Sequence, residues 1–388
     1  MLGTYPVDEP TSRRDLRTMT SALLTRHLPA EAALASDREG AFDSTVWLRL
    51  GEAGLLGLGA EEAKGGSGGT VADAVAVTEE IARVLPSLAV DYVLSGMTMR
   101  TMADPQCGHV AAWLPDVAAG RMLCSYGLSE PDGGTDLLAL RTSAQDTADG
   151  WCVSGQKTWI SLAGEADYVF VLCRTDPAID GRRSRGLSLI AVPRDQSGVT
   201  VRRVRLAGMR AAMSYEVFFD QATAPRENLI GDRGRGMRLL AQTLDVERVM
   251  AAAISLGLAR GALDLHIAYA CERQAFGQPI GAFQAIQHPA ADSITELSAS
   301  RALLNETVAA IDAGGDASAR SAMAKLYAAE AAARITDRGM RAMGAMGLAE
   351  ESAMQMYFRD ARLQLFSPIS NEMIRNMLGE SLGLPRSY

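Results

Sequence analysis

The sequence lacks the basic charge that nucleic-acid binding requires. Its 388 residues carry 38 Lys and Arg against 46 Asp and Glu, which gives a formal net charge of -8. Proteins that neutralise phosphates need clustered Lys and Arg, and no basic tract or stripe occurs in this chain. We therefore expect no nucleic-acid partner.

Cysteine and histidine are scarce and scattered. The five cysteines form no CxxC pair, and the four histidines show no HExxH spacing. Disulfide frameworks and zinc sites depend on such spacings. The pattern is typical of a reducing cytoplasm, and we expect no bound metal.

Long apolar runs are also missing. No uninterrupted run is long enough to cross a bilayer, and the first residues, MLGTYPVDEPTSRRDLR, lack the basic-then-apolar pattern of a signal sequence. We therefore predict a cytoplasmic protein with no membrane partner.

What is present divides the chain into three parts. Apolar residues recur at intervals of three and four near the N-terminus, as in VADAVAVTEEIARVL, and this spacing predicts helices. Short β-rich runs such as GWCVSGQKTWIS and SYEVFFD follow, and helical patterns then return. We predict an α+β fold with a helical domain over 1–119, an all-β domain over 120–231 and a second helical domain over 232–388.

Glu247 is the most informative charged residue of the last part. On an α-helix it has Thr243, Leu244, Met250 and Ala251 as neighbours, and no Lys or Arg stands at those spacings. Burial of an unpaired carboxylate raises its pKa, which suits a general base near neutral pH. The same pattern also fits a Glu at the edge of an apolar stripe that reaches solvent or an arginine from elsewhere.

Two charges beside Glu247 and a glycine-rich turn are further candidates. Asp245 and Arg248 either form an ordinary pair three residues apart or bind a polar ligand. The segment CSYGLSEPDGGTD begins as a strand and then turns, which leaves Ser129 and Thr135 free for hydrogen bonding.

The next strand candidate, GQKTWIS, places Trp159 and Ser161 on one face, two residues apart. Taken separately, these segments indicate only a turn and a core tryptophan.

Taken in order, the segments resemble the acyl-CoA dehydrogenase family over nearly the whole chain. The stretches that match are GEAGLLGLGAEEAKGGSGGT, CSYGLSEPDGGTD, GWCVSGQKTWIS, MSYEVFFDQATAPRENLIG, LDVERV, ERQAFGQPIGAFQAIQ and RDARL. The resemblance implies a central β-barrel-like domain, a C-terminal four-helix bundle, FAD between these two, and a homotetramer. It also implies that a base removes the α-proton of an acyl thioester while the β-hydrogen leaves as hydride to the flavin.

The resemblance further implies cofactor and substrate residues. Those of the β domain are Tyr126, Leu128, Ser129, Thr135, Trp159 and Ser161. Those of the C-terminal domain are Arg273, Phe276, Gln284, Arg341, Gly344 and Asn371, of which the first three reach the FAD of a neighbouring subunit. Asp245 and Arg248 match positions near the pantetheine arm.

The chain departs from the family's pattern at several places. Arg341 stands where a glutamine is common, Ala345 replaces the second glycine of a pair, and Ile369 replaces a hydroxyl residue. Pro289 falls inside an expected helix, where we expect a break or kink.

The position of the base follows from a further departure. Most family members carry the catalytic glutamate where this chain has Ser367, and a serine of ordinary pKa does not abstract a carbon-bound proton. A branch that includes isovaleryl-CoA and long-chain acyl-CoA dehydrogenases places the base directly before the arginine of LDxER, which is Glu247 here. We predict Glu247 as the base, with room beside Ser367 for a branched or cyclic acyl group.

The sequence leaves the carrier and the electron acceptor open. Coenzyme A and carrier proteins present the same phosphopantetheine arm, so a prolyl- or other aminoacyl-carrier-protein dehydrogenase or oxidase of secondary metabolism is an alternative. The acceptor is an electron-transfer flavoprotein or oxygen. A flavin monooxygenase and a DNA-associated scaffolding member are further classes, and the acidic charge disfavours the second.

Overall fold

The computed structural model describes residues 9–178 and 181–386. The predicted order of a helical part, a β part and a second helical part is confirmed. The predicted outer boundaries at residues 1 and 388 lie outside the described residues.

The N-terminal part is a set of packed helices. Between residue 9 and the first strand these are α1 (Thr11–His27), α2 (Ala30–Glu39), α3 (Ser44–Glu52), α4 (Val71–Val84), α5 (Pro86–Met102) and α6 (Leu114–Ala118). Thr70 and Asp73 form a reciprocal capping box at the start of α4. Pro86 begins α5, where its fixed φ and missing N–H suit the first helical position. These caps fix α4 and α5, the two helices that later contact the site.

The middle part is a mixed β-sheet. Its strands are β1 (Cys124–Gly127), β2 (Ser143–Thr147), β3 (Gly150–Ser161), β4 (Tyr168–Arg174), β5 (Leu187–Pro193), β6 (Val199–Val204), β7 (Ser214–Ala224) and β8 (Leu229–Ile230). They follow the order β6-β7-β3-β2-β4-β5-β8, and β1 pairs in parallel with β4. Strands β4 and β5 are buried at nearly every position, which explains their continuous apolar sequences.

The C-terminal part is helical again. Its elements are α7 (Gly236–Glu272), the short hairpin β9 (Gln274–Ala275) and β10 (Gln278–Pro279), α8 (Gln284–Asp312), α9 (Ser318–Met343), α10 (Ala345–Leu348), α11 (Ala353–Asp360) and α12 (Asn371–Ser381). Helix α7 has 37 residues and packs against α4, α5, α8 and α9. It is long and apolar enough to cross a membrane, but 78% of its most apolar window is buried inside the protein. It is therefore the central helix of the core, which joins the first and last parts of the chain.

The predicted break at Pro289 is wrong, because α8 continues through this residue. Pro289 removes only the hydrogen bond that its own N–H would give to the carbonyl of Ala285. Ala285 is exposed, so its carbonyl can be solvated instead. The helix thus tolerates proline in its second turn.

We predict that Gly257→Ala lowers the free energy of unfolding by about 1–3 kcal/mol, because α7 and α4 touch at this glycine. A Cβ at Gly257 would lie 2.3 Å from the carbonyl oxygen of Glu79 and 2.8 Å from Cβ of Ala82. Urea denaturation measures the change. The control is Gly379→Ala in α12, where the nearest atom would be 3.6 Å away. The control should be neutral or stabilising by at most about 1 kcal/mol, and equal destabilisation of both variants would contradict the close contact.

Candidate active site

Glu247 lies on α7 in a mostly apolar setting. Its helical neighbours Thr243, Met250 and Ala251 are buried, whereas Leu244 is 41% exposed. The carboxylate has no ion pair or hydrogen bond with any of residues 9–178 and 181–386. Burial raises the pKa of Glu247 to about 7, and the charge of the adjacent Arg248 only partly opposes this rise. Such a group is about half ionised at neutral pH, as a general base requires.

Tyr126 on β1 lies close to Glu247. Its hydroxyl is 2.5 Å from Oγ1 of Thr101 and donates to the carbonyl of Met97 at 3.3 Å, both on α5. Burial raises the pKa of Tyr126 far above its usual value, and the negative charge of Glu247 adds to this shift. The structure therefore brings together β1, α5 and α7 at the Glu247 carboxylate.

Trp159 is an irregular point of β3. Its φ is 60°, and the register of β3 against β7 shifts between Lys157 and Ile160. The two-residue alternation on which we based a common face for Trp159 and Ser161 is therefore interrupted. The indole is 61% exposed. A large exposed aromatic held in a disfavoured backbone conformation is what a flat ligand-binding surface requires.

The other predicted residues of the β domain differ in exposure. Leu128, Ser129 and Ser161 are partly buried, and Thr135 is exposed in the turn after β1. The carbonyl of Ser129 accepts from the N–H of Thr158 at 2.9 Å, so the turn is fastened to β3.

A buried lysine, Lys157, supports this turn from inside. Its side chain is fully buried, and Nζ donates to the carbonyl of Leu128 and to Oε1 of Glu130, each at 2.9 Å. The Glu130 carboxylate also accepts from the backbone N–H groups of Arg141 and Thr142. The pair therefore fixes the backbone that carries Leu128 and Ser129.

Lys325 on α9 plays the same part for the loop that contains Ser367. It is also fully buried, and its Nζ donates to the carbonyl of Ile369 at 2.7 Å and to Oδ1 of Asn371 at 2.8 Å. Burial lowers the pKa of Lys325 to about 8. The peptide bond between Ser367 and Pro368 is cis. The amide oxygen of Asn371 thus has a partner within the chain.

Asp245 and Arg248 form the intrahelical ion pair that was one of the two alternatives, at 3.2 Å. Asp245 also accepts from Oγ of Ser321 at 2.9 Å. Arg248 is buried beside Met377 of α12, and its Nε has no hydrogen-bond partner. An orphaned buried donor of this kind fits a polar ligand that passes along α7.

The predicted residues after α7 do not meet Glu247 within one chain. Arg273 follows the last residue of α7, and the 26 residues from Glu247 to Arg273 span about 39 Å of helix. Gln284 and Phe276 are exposed near the same end, and Phe276 is 95% exposed with a φ of 51°. These side chains are free to contact another molecule.

The last predicted pair lies at the C-terminal end of α9. Arg341 is exposed and pairs with Asp337 at 2.8 Å, and Gly344 ends the helix with a φ of 58°. Arg341 lines a cleft of about 690 Å³ that also contains Arg334, Arg338 and Arg362. No contact in the described chain links this cleft to Glu247.

The sequence did not indicate Thr101, Lys157, Lys325 or Glu130 as part of the site. A signal for the lysines exists, since the chain contains three lysines in all and two of them are fully buried. Their oxygen partners lie 27 to 46 residues away in the chain. No local periodicity connects residues at such separations.

Comparison with known proteins covers the whole chain. Models of three domains match in order: the acyl-CoA dehydrogenase N-terminal domain at residues 10–121, the middle domain at 125–222 and the C-terminal domain at 234–383. The glutaryl-CoA dehydrogenase of Desulfococcus multivorans is 35% identical over 80% of this chain and 81% of its own. The acyl-CoA dehydrogenase FadE12 of Mycobacterium tuberculosis is 31% identical over 92% of this chain and 93% of its own.

Solved structures agree with this similarity. A glutaryl-coenzyme A dehydrogenase in complex with glutaryl-CoA has a TM-score of 0.92 at 30% identity, and covers 99% of this chain and 98% of its own. The prolyl acyl carrier protein oxidase AnaB has a TM-score of 0.89, and the match covers 97% of this chain and 100% of AnaB. At 21% identity, AnaB shares the fold alone.

We predict that removal of the two buried lysines destabilises the protein to different degrees. Lys157→Met leaves the Glu130 carboxylate without its ion partner and should cost about 3–5 kcal/mol. Lys325→Met leaves only neutral oxygens unpaired and should cost about 1–3 kcal/mol. Denaturant unfolding measures both, with the exposed Lys64→Met as control.

The double variant Lys157→Met with Glu130→Gln should recover part of the loss, because it removes the unpaired charge. The opposite order of the two losses, or no recovery in the double variant, would show that the lysines do not act through these contacts.

Proposed function

Because the chain belongs to the acyl-CoA dehydrogenase family, we propose that Glu247 is the base of its FAD-dependent acyl-CoA dehydrogenation. The observation that carries the proposal is the unpaired Glu247 carboxylate, whose pKa burial raises to about 7. The position predicted for the usual base is occupied by Ser367, which cannot supply a carboxylate.

FAD is the cofactor of this reaction, and when bound it accepts the β-hydrogen of the acyl group as hydride. We propose that the β domain holds the flavin ring with Tyr126, Leu128, Ser129, Trp159 and Ser161, and that Thr135 lies near a phosphate or the thioester. The exposed indole of Trp159 and the rigidly supported backbone of Leu128 and Ser129 are consistent with this role.

Glu247 takes the α-proton onto a carboxylate oxygen. The surrounding apolar side chains exclude water, so no hydrogen bond stabilises the charged form before the proton arrives. Asp245 and Arg248, one turn or less from Glu247, would position the pantetheine arm. The unpartnered Nε of Arg248 is the donor that supports this assignment.

A complete site needs a second copy of the chain. Arg273, Phe276 and Gln284 are exposed about 39 Å along α7 from Glu247, so in this proposal they contact the cofactor of a neighbouring subunit in a homotetramer. Arg341, Gly344 and Asn371 would complete the contacts, although Asn371 already binds Lys325. A guanidinium at Arg273 suits a pyrophosphate.

We propose a small branched or cyclic acyl group as the substrate, as in the isovaleryl-CoA dehydrogenase branch. The small Ser367 side chain, in place of a glutamate, supports this choice. A carrier-protein thioester is the alternative, since the phosphopantetheine arm is the same. An electron-transfer flavoprotein is the proposed acceptor, and oxygen is the alternative. The domain boundaries at 119 and 231 and the cytoplasmic location stay predictions.

We predict that Glu247→Gln abolishes dehydrogenation, with a loss of at least about 100-fold in the reduction rate of bound flavin, because the amide cannot accept the α-proton. Exchange of the α-proton with deuterated water should be lost as well. The control is Glu62→Gln, a carboxylate in the exposed 3₁₀ turn at Glu62–Lys64, which should keep both activities. Retained turnover in Glu247→Gln would instead favour the monooxygenase alternative.

We also predict a pH dependence from the raised pKa of Glu247. The carboxylate must be ionised, so kcat/KM should rise with pH through about 7. The sign for stability is opposite: between about pH 4.5 and 7 the native protein keeps a proton that the unfolded chain releases, so Glu247 lowers stability as pH rises through this window. Glu247→Gln should remove this contribution. A kinetic midpoint near that of an ordinary carboxyl group would refute the burial of the base.

A further inference from the structure

A small pocket lies next to Glu247 on α7. Val246, directly before Glu247, and Met250, three residues after it, line this pocket. Helix α5 contributes its opposite wall, where Met97 also receives the hydrogen bond from Tyr126. The remaining lining residues are Leu56, Leu58, Ala74, Tyr92, Val93, Gly96 and Arg100. The pocket therefore continues from the base into a mostly apolar space between α4, α5 and α7.

Arg100 is the one charged residue among those that line the pocket. Its guanidinium makes no hydrogen bond or ion pair with the residues the structure describes. Burial lowers the pKa of Arg100, and the charge of Asp312 on α8 only partly opposes this effect. The Asp312 carboxylate is engaged elsewhere, since it accepts from the backbone N–H groups of Val71 and Ala72 at 2.9 and 3.2 Å. A partly buried guanidinium thus keeps its donors unused.

The backbone around Arg100 leaves space for its side chain and for a ligand. Gly59 has a φ of 82°, and a Cβ there would lie 2.7 Å from Nη2 of Arg100. Any larger residue at this position would displace the guanidinium. Gly96, one turn before Arg100, would have no heavy atom within 4 Å of an added Cβ. The two glycines therefore keep the guanidinium in place and the adjacent wall open.

We propose that Arg100 selects an acyl group that carries an oxygen-bearing substituent, with a carboxylate as the best match. This inference rests on the proposed function, because it takes the pocket beside Glu247 as the acyl site. A guanidinium offers paired N–H donors in the geometry that a carboxylate accepts. An apolar acyl group would fill the pocket but leave these donors without partners, and a site built around a donor discriminates strongly against analogues that lack the acceptor.

The test uses the FAD-loaded protein and three coenzyme A thioesters of equal carbon number: pentanoyl-CoA, its ω-hydroxy form and its ω-carboxy form. We expect the wild type to favour the carboxylated thioester by about 100-fold in kcat/KM over pentanoyl-CoA. Arg100→Met should lose this preference while its kcat/KM with pentanoyl-CoA is unchanged or higher, and Arg100→Lys should recover part of it. Arg49→Met, on the exposed face of α3, is the matched control.

A binding measurement separates this inference from the proposed base. Dissociation constants of the same thioesters are read from the flavin spectrum of Glu247→Gln, with and without Arg100→Met. A preference for the carboxylated thioester that disappears with Arg100→Met supports the inference even where Glu247 proves not to be the base. Equal binding of the three thioesters, or an equal loss for all three in Arg100→Met, overturns it.

Discussion

The desolvation of one carboxylate is the constraint on which the site depends. Glu247 keeps a pKa near 7 only because the apolar surfaces of neighbouring helices surround it and no cation pairs with it. That environment requires α7 to lie at the centre of the fold, in contact with both the first and the last helices of the chain. The close contact of Gly257 with α4 is one means by which this position is kept. The chemistry of the base is thus a consequence of how the whole core packs.

The surroundings of the base show a consistent division of charge. Where a charge has to be fixed, it is buried with partners, as Lys157 is with Glu130 and Lys325 is with Ile369 and Asn371. Such contacts offset the cost of burying the charge and hold two loops in defined positions. Where a charge has to act on a ligand, as with Glu247, its polar atoms are left without partners in the described chain. Rigid loops and unpaired functional groups together make a site that is arranged before the substrate arrives.

The predicted fold and the site differ in how far the sequence could specify them. The order of helical, β and helical parts follows from hydrophobic periodicity, and the apolar neighbours of Glu247 follow from its spacing on one helix. The partner of Tyr126, by contrast, is Thr101 on α5, 25 residues earlier in the chain. The left-handed backbone at Trp159 arises from a register shift between β3 and β7. Neither feature has a signal in local spacing.

The sequence by itself determined the family resemblance, the three-part order and the choice of Glu247 over Ser367, because these depend on residue identity and on spacing within single elements. Only the tertiary structure decided that Glu247 lacks a counter-ion, that the buried lysines support two loops, and that Arg100 lines the pocket beside the base. These properties depend on contacts between elements that are distant in the chain. The physical reason is that burial and pairing are properties of the assembled core, and no segment carries them alone.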